Sequence, residues 1–307
     1  MDWRYKAGLQ YIFSIIPYGE DINYLFQKNI TKNLPLKELK IKEKLLIAEQ
    51  HIENFYKYTS DSLEQATFYE FGAGWDLVQP LLFYSLGVNH QVLIDIRKLI
   101  RIELINKAIE EIQHISSYLK LQRIPKKYFK NQLECIDELM QFYGIQYRAP
   151  FDARKTNLEQ ETIDYIVSTN TLEHIPPDDI IAILKECYRL LKNDGAMSFK
   201  IDYQDHYSYF DSTISVYNFL QFNNKIWNLL FNPSLHYQNR LRHQDYLNIF
   251  SDIGFEVLED KIIEGTESDL DKINKLSISQ DFSQYNISAL SIRGTTIVLK
   301  KKTDKQL

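Results

Sequence analysis

A β-prone run, Ala66-Thr67-Phe68-Tyr69-Glu70-Phe71, ends in Gly72-Ala73-Gly74, and helical periodicity resumes from Trp75 to Tyr84. This strand, glycine turn and helix constrain the fold more than any other feature, because glycine is scarce here. Only ten glycines occur in 307 residues, against a usual share of about 7%, and two of them fall in this one turn. Where glycine is rare, each marks a backbone need: a left-handed φ or a close approach that a Cβ would prevent. The unit then recurs. Val92-Leu93-Ile94-Asp95 reads as a second buried strand ended by an acid, with an amphipathic helix from about Arg97 to Leu119. A helical segment from Glu134 to Phe142 leads to a third strand, Ile145-Gln146-Tyr147, and a fourth runs from Asp164 to Ser168. Pro176-Pro177-Asp178-Asp179 opens the next helix, Asn193-Asp194-Gly195 closes it, and Ala196 to Ile201 is a fifth strand. Strands alternating with helices predict an α/β fold, a doubly wound, mostly parallel sheet covered on both faces.

The flanks read differently. Residues 1–65 carry apolar positions at helical spacing with breaks at Pro17 and Pro35, and form an expected N-terminal helical cap. From Asp202 to about Asp252 the chain is rich in Tyr, Phe, His and Asn and reads as a helical, aromatic-rich insertion after strand five. Gly254 to Leu258 and Thr295 to Leu299 add two strands and complete a seven-stranded sheet, with a polar excursion, Gly265 to Ser288, between them. The expected division is a cap, 1–65, and one domain, 66–307. That domain comprises a cofactor half (66–203), a substrate or lid insertion (204–253) and C-terminal strands (254–307).

Charge and cysteine usage narrow the function. With 36 Lys and Arg against 41 Asp and Glu, the net charge is −5, which argues against a protein-wide basic field, so no nucleic-acid partner is expected. The basic Lys120 to Lys130 stretch reads as a solvated flank. Cys135 and Cys187 are isolated, suit packing in a reducing compartment, and cannot build a thiolate metal cage. The first residues lack a signal-peptide cleavage pattern, and no run approaches the roughly 20 apolar residues of a membrane span. The expectation is a soluble, cytoplasmic protein with no membrane partner, and no oligomeric state is implied.

A doubly wound sheet binds its ligand at the carboxyl ends of its strands. Gly72 and Gly74 permit the backbone to approach a ligand there, and Asp95, 21 residues beyond Gly74 at a strand end, is placed to accept from ribose hydroxyls. A dinucleotide fingerprint would put a third glycine where Leu77 stands, so a pyrophosphate is disfavoured. Glu70, two residues before the first glycine, suits a cationic group, as on a nucleoside bearing an amino acid.

These residues make the chain resemble the class I S-adenosylmethionine-dependent methyltransferases. Glu70-Phe71-Gly72-Ala73-Gly74 matches that family's first motif, with Asp76 where a third glycine is usual. Asp95 matches the acid that holds the ribose, and Asp152-Ala153 the acid and amide that face adenine. The segments Asp164 to Ser168, Leu172-Glu173-His174-Ile175 and Leu190 to Gly195 resemble the motifs around strands four and five. The resemblance implies a Rossmann-like seven-stranded sheet with an antiparallel last strand, and S-adenosylmethionine as cofactor. It also implies a cofactor site of Glu70, Phe71, Gly72, Ala73, Gly74, Asp95, Ile96, Asp152, Ala153, Thr169 and Asn170. Methyl transfer asks the protein for alignment, exclusion of water and a proton acceptor. Asp205 and His206, after strand five, form the candidate acid and imidazole pair, with His174 as the rival base. No metal is expected, because Asn170 stands where a metal carboxylate would be wanted. Tyr207, Tyr209, Phe210, Trp227, His236, Tyr237 and Asn239 suggest a lid or acceptor pocket, and Arg240 and Arg242 an anion contact or a solvated face. The function implied is methylation at O or N of a small-molecule or glycan-like acceptor. The alternatives are a nicotinamide-dependent oxidoreductase, disfavoured by Leu77 and Glu70, and a non-catalytic S-adenosylmethionine-binding protein.

Overall fold

The computed structural model describes residues 2–302. Seven strands, β1 (Thr67–Phe71), β2 (His90–Ile94), β3 (Ile145–Arg148), β4 (Ile163–Thr169), β5 (Leu191–Asp202), β6 (Phe255–Ile263) and β7 (Gly294–Lys301), form one sheet in the order β3-β2-β1-β4-β5-β7-β6. The strands from β1 to β5 pair parallel, and β7 runs antiparallel to both β5 and β6. The strand order reverses between β1 and β4, which opens a crevice at their carboxyl ends.

Alternation along the strands builds a core on each face. Phe68, Leu93, Tyr165 and Val167 face one way, onto α3 (Glu38–Tyr58), α4 (Val78–Ser85) and α5 (Ile102–Ile115); α3 itself contributes Ile41, Leu45, Ala48 and Phe55. Tyr69, Ile94, Ile166 and Met197 face the other way, onto α7 (Pro177–Leu190) and the helix His243–Ile253. The remaining labelled helices are α1 (Trp3–Ile15), α2 (Gly19–Asn29) and α6 (Gln132–Tyr143). A third core joins Trp3 and Ala7 of α1 to Tyr207, Tyr217, Phe219 and Trp227 of the aromatic region. A buried polar tie locks α3 to the sheet: His51 contacts Ser198 Oγ at 2.8 Å through Nδ1 and Thr169 Oγ1 at 3.1 Å through Nε2. Among the described residues no helix is long and apolar enough to cross a membrane.

Several boundaries differ from the sequence expectation. The helix after the glycine turn begins at Val78, not Trp75, because Leu77 takes a left-handed φ of 51°. That conformation costs a non-glycine residue roughly 1–2 kcal/mol, which burial of a leucine side chain, worth about 1.5–3 kcal/mol, offsets at this fully buried position. The second crossover helix is shorter than expected, with residues 96–101 left as loop. Asn193-Asp194-Gly195 does not close α7. The helix stops at Leu190, and β5 takes over at once with a register shift, Leu191 pairing with Ile163 and Ala196 with Tyr165. The insertion is not mainly helical: between Asp202 and His243 it consists of short single-turn elements held by aromatic packing.

Candidate functional site

The glycine turn is the junction of two cavities of about 420 Å³ and 460 Å³, which share Gly72, Gly74, Trp75, Asn170 and Thr171. Gly72 and Gly74 sit at φ of +79° and +74°, and a Cβ on Gly72 would stand 2.5 Å from Thr171 Cγ2. The loop therefore needs glycine at Gly72 both for its conformation and for its close approach to the turn after β4. The loop is tied to the end of β2: Gly72 N–H donates to the Ile94 carbonyl at 2.8 Å, and Gly74 N–H to Asp95 Oδ2 at 3.3 Å. Asp95 Oδ1 accepts from Arg97 N at 3.0 Å. Burial raises the Asp95 carboxyl, against these two amides, so the acid is fixed in place with lone pairs left for a ligand.

All eleven sequence-predicted cofactor residues border one of the two cavities. Phe71, Gly72, Gly74, Asp95, Ile96, Asp152, Ala153 and Asn170 line the first, while Glu70, Ala73 and Thr169 line the second. Glu70 is buried, and its Oε2 has no hydrogen-bond partner. Burial pushes its carboxyl up to about 8, with Lys44 pulling the other way. An ammonium group in the second cavity would satisfy that oxygen, so the residues present suit an amino-acid-bearing nucleoside. Asp152 is held by Arg154, whose Nη1 also reaches Asp179 at 2.6 Å. Asn170 has a φ of 51°, a strained conformation at the strand end.

Trp75, which the sequence did not single out, lines both cavities, and it is covered by the N-terminal segment of Tyr18, Glu20, Asn23 and Tyr24, the kind of segment that the family resemblance offers as a cap over the cofactor. Trp75 follows the glycines directly, and Tyr24 of α2 packs on it with ring centroids 5.1 Å apart. Ion pairs Glu20–Arg97 and Asp21–Arg101 fasten α2 to the loop after β2. An aromatic immediately after a glycine turn was the available signal for Trp75.

A third, smaller cavity of about 240 Å³ shares His174 and Leu235 with the first and is lined by Lys6, Gln10, Asn23, His206, Tyr209 and His236 among others. His174 Nδ1 lies 2.8 Å from the Tyr237 carbonyl. A carbonyl only accepts, so Nδ1 carries the proton and Nε2 presents a lone pair. His174 is exposed and borders both cavities; burial of its imidazole among the surrounding protein lowers its pKa to about 4, with the neighbouring His206 adding to the effect. The two imidazole rings are 4.8 Å apart.

The expected pairing of Asp205 with His206 does not form. Asp205 is fully buried and heads its own turn, accepting from Tyr207 N at 2.8 Å and Asn218 Nδ2 at 3.0 Å. Burial lifts its carboxyl to about 6. The acid facing His206 is Asp202 at the end of β5, with Oδ2 3.3 Å from Nε2. Burial alone would raise Asp202, but His206 and the Tyr209 hydroxyl hold it below the usual range. Arg240 and Arg242 are neither anion contacts nor a solvated face. Both are buried and donate to carbonyls, Arg240 to those of Phe219 and Phe222 and Arg242 to those of Tyr203, Leu290 and Ile292. Short turns leave many carbonyls unpaired, and these guanidinium groups satisfy them. Arg123, in the basic stretch, likewise clamps the carbonyls of Tyr84 and Val88.

Residues 127–199 match a family model described as a methyltransferase domain. No curated protein matches the chain. Similar solved structures include an S-adenosylmethionine-dependent methyltransferase from Methanosarcina mazei, at 15% identity over 82% of this chain and 98% of that one, with a TM-score of 0.47. Another is a geranyl diphosphate C-methyltransferase from Streptomyces coelicolor, at 11% identity over 88% and 86%, with a TM-score of 0.47. The matched domain spans Asp152, the turn after β4 and most of β5, and it lies within a seven-stranded sheet whose antiparallel β7 is the one the resemblance implied. Over residues 127–199 the chain is therefore similar to methyltransferase domains, and the motifs around that stretch resemble those of the class I S-adenosylmethionine-dependent methyltransferases.

Proposed function

We propose that this chain is an S-adenosylmethionine-dependent methyltransferase that acts on an oxygen or nitrogen of a small polar acceptor, a small molecule or a glycan-like group, held in the third cavity. The observation that carries this reading is the meeting of the third cavity with the first at His174 and Leu235. A volume of about 240 Å³, lined by amides, imidazoles and an amine among apolar walls of Phe26, Phe210 and Leu235, suits a compact, hydroxyl- or amine-bearing molecule. On the cofactor side, Asp95 takes the ribose hydroxyls and Asp152 with Ala153 the adenine edge. Glu70 takes the ammonium, and Phe71, Gly72, Ala73, Gly74, Ile96, Thr169 and Asn170 shape the walls. Residues 66–203 then form the cofactor half, and residues 1–65 with 204–253 enclose the acceptor.

Transfer moves the methyl from sulfonium to the acceptor heteroatom. The S–C bond breaks, an O–C or N–C bond forms, S-adenosylhomocysteine leaves, and the acceptor gives up a proton. His174 and His206 are the groups that face the heteroatom at the point of transfer. Asp205 serves them by holding the turn that carries His206. The test is S-adenosylhomocysteine release with panels of hydroxyl, amine and carbon nucleophiles. Turnover with hydroxyl or amine acceptors supports the reading, and methylation confined to carbon overturns it.

A further inference from the structure

The corner where the cofactor and acceptor cavities meet holds polar groups with unmet bonding capacity. Glu173 is 2% exposed, and neither carboxylate oxygen has a hydrogen-bond partner. The nearby backbone amides of Glu173 and Asp202 oppose the rise that burial imposes on its pKa without meeting hydrogen-bond geometry. His206 Nε2 is buried and lacks an aligned partner, although Asp202 Oδ2 lies 3.3 Å away. His174 Nε2 is free because Nδ1 is committed to Tyr237. A buried carboxylate left without partners costs several kcal/mol unless something neutralises it, and three such donors converge here, one ligand atom from each lying within 4.8 Å of the others.

We propose that Glu173, His174 and His206 hold a divalent transition-metal ion that takes an oxygen of the acceptor as a further ligand. The proposal rests on the reading above only in placing the acceptor at this corner. One carboxylate and two imidazoles form a nitrogen and oxygen donor set of the kind zinc, manganese, cobalt or ferrous ions accept, whereas magnesium and calcium prefer oxygen alone. Ligand bonds of roughly 2.0–2.2 Å require the side chains to draw in by about an ångström from their present spacing. The outer contacts are already built. The Tyr237 carbonyl fixes the tautomer of His174, as such partners do for metal-ligating histidines. Asn239 Nδ2 donates to the carbonyls of Leu172 and Ile175 at 2.8 and 2.9 Å and so clamps the turn that carries two of the ligands. Asp202 stands beside His206, its Oδ2 3.3 Å from Nε2, and also accepts from Gln204 N at 3.0 Å. Asn170, on which the sequence expectation of no metal turned, is not part of this set: the carboxylate comes from Glu173, and His206 arrives from the far end of β5.

The test uses the full-length enzyme stripped with a chelator. Cobalt(II) is titrated by visible absorption and zinc(II) by calorimetry. The expected result is one ion per chain with micromolar or tighter affinity, weakened roughly 10–100-fold or more by Glu173→Gln and by His206→Ala. S-adenosylhomocysteine binding by the stripped variants should remain within about threefold of wild type, showing that they are folded. No binding at millimolar ion, or binding that survives both substitutions, overturns the proposal. Its failure leaves the acceptor reading standing, because acceptor turnover is scored separately on the panels above.

Discussion

The cavities proposed for the cofactor and the one proposed for the acceptor are built from different materials. The first are shaped by backbone at the ends of adjacent strands: two glycines at positive φ, a strand-end acid fixed by amides, and an asparagine at positive φ after β4. The acceptor cavity is shaped by side chains from distant segments. Lys6 and Gln10 come from α1, Asn23 from α2, His174 from the turn after β4, and His206 and His236 from the aromatic region. Those segments meet because Trp3 packs against Tyr207 and Phe231 with ring centroids 5.3 and 4.7 Å away. A site made of backbone requires particular residues at particular positions. A site made of docked side chains requires only that the docking occur, and it leaves the residue types free to follow the ligand.

The largest expected effect lies on the acceptor side. His206→Ala should lower kcat by roughly 100-fold or more, whether His206 meets the acceptor directly or through an ion, with S-adenosylhomocysteine affinity unchanged. Steady-state kinetics beside a binding titration would show it, and a matching loss of cofactor affinity would erase the distinction between the two regions. Gly72→Val attacks the backbone side. The added carbon meets Thr171 and the φ is left-handed, so cofactor affinity should fall about 10–100-fold. Fluorescence of Trp75 would follow it, and near-wild-type affinity would mean that the loop is not a close-contact site.

A third test concerns His51, which reaches behind the cofactor cavity to Thr169. Burial, helped by Lys200, lowers its pKa to about 3, whereas an unfolded histidine titrates near 6.5. The unfolded chain therefore takes up the proton first. The contribution is whole above about pH 6.5 and is lost as pH falls towards 3. Between pH 7 and pH 5 this amounts to about 2 kcal/mol. Urea unfolding should show that wild type loses this much more than His51→Gln over the same interval, and equal losses would remove His51 as the cause. The smallest effect is expected for Tyr24→Ala. Loss of one aromatic contact, about 0.5–1.5 kcal/mol, should weaken cofactor binding by roughly 2–10-fold, and a larger loss would make α2 a principal wall of the cavity rather than a cover.

The same contrast explains what was legible in the sequence. Gly72, Gly74 and Asp95 could be read because backbone conformation restricts residue choice, and the alternating strands could be read because period-two burial does the same. The Asp205 and His206 pairing was misread because adjacency in sequence does not make side chains face one another. In the turn after β5, Asp205 points back to Tyr207 N, and the acid four residues before His206, Asp202, meets it instead. Arg240 and Arg242 look like surface residues by spacing, but the unpaired carbonyls of an irregular region drew them inside. Leu77 shows the limit of propensity, since a buried leucine holds a left-handed φ that its type disfavours.

The central claim is that cofactor binding resides in the strand-end backbone site and is separable from the acceptor corner. Calorimetric titration of S-adenosylhomocysteine into wild type, Asp95→Ala and His206→Ala tests it most directly. The account predicts that Asp95→Ala loses about 1.5–3 kcal/mol of binding, the strength of a charge-assisted hydrogen bond, while His206→Ala matches wild type. Unchanged affinity in Asp95→Ala, or an equal loss in both variants, would contradict it.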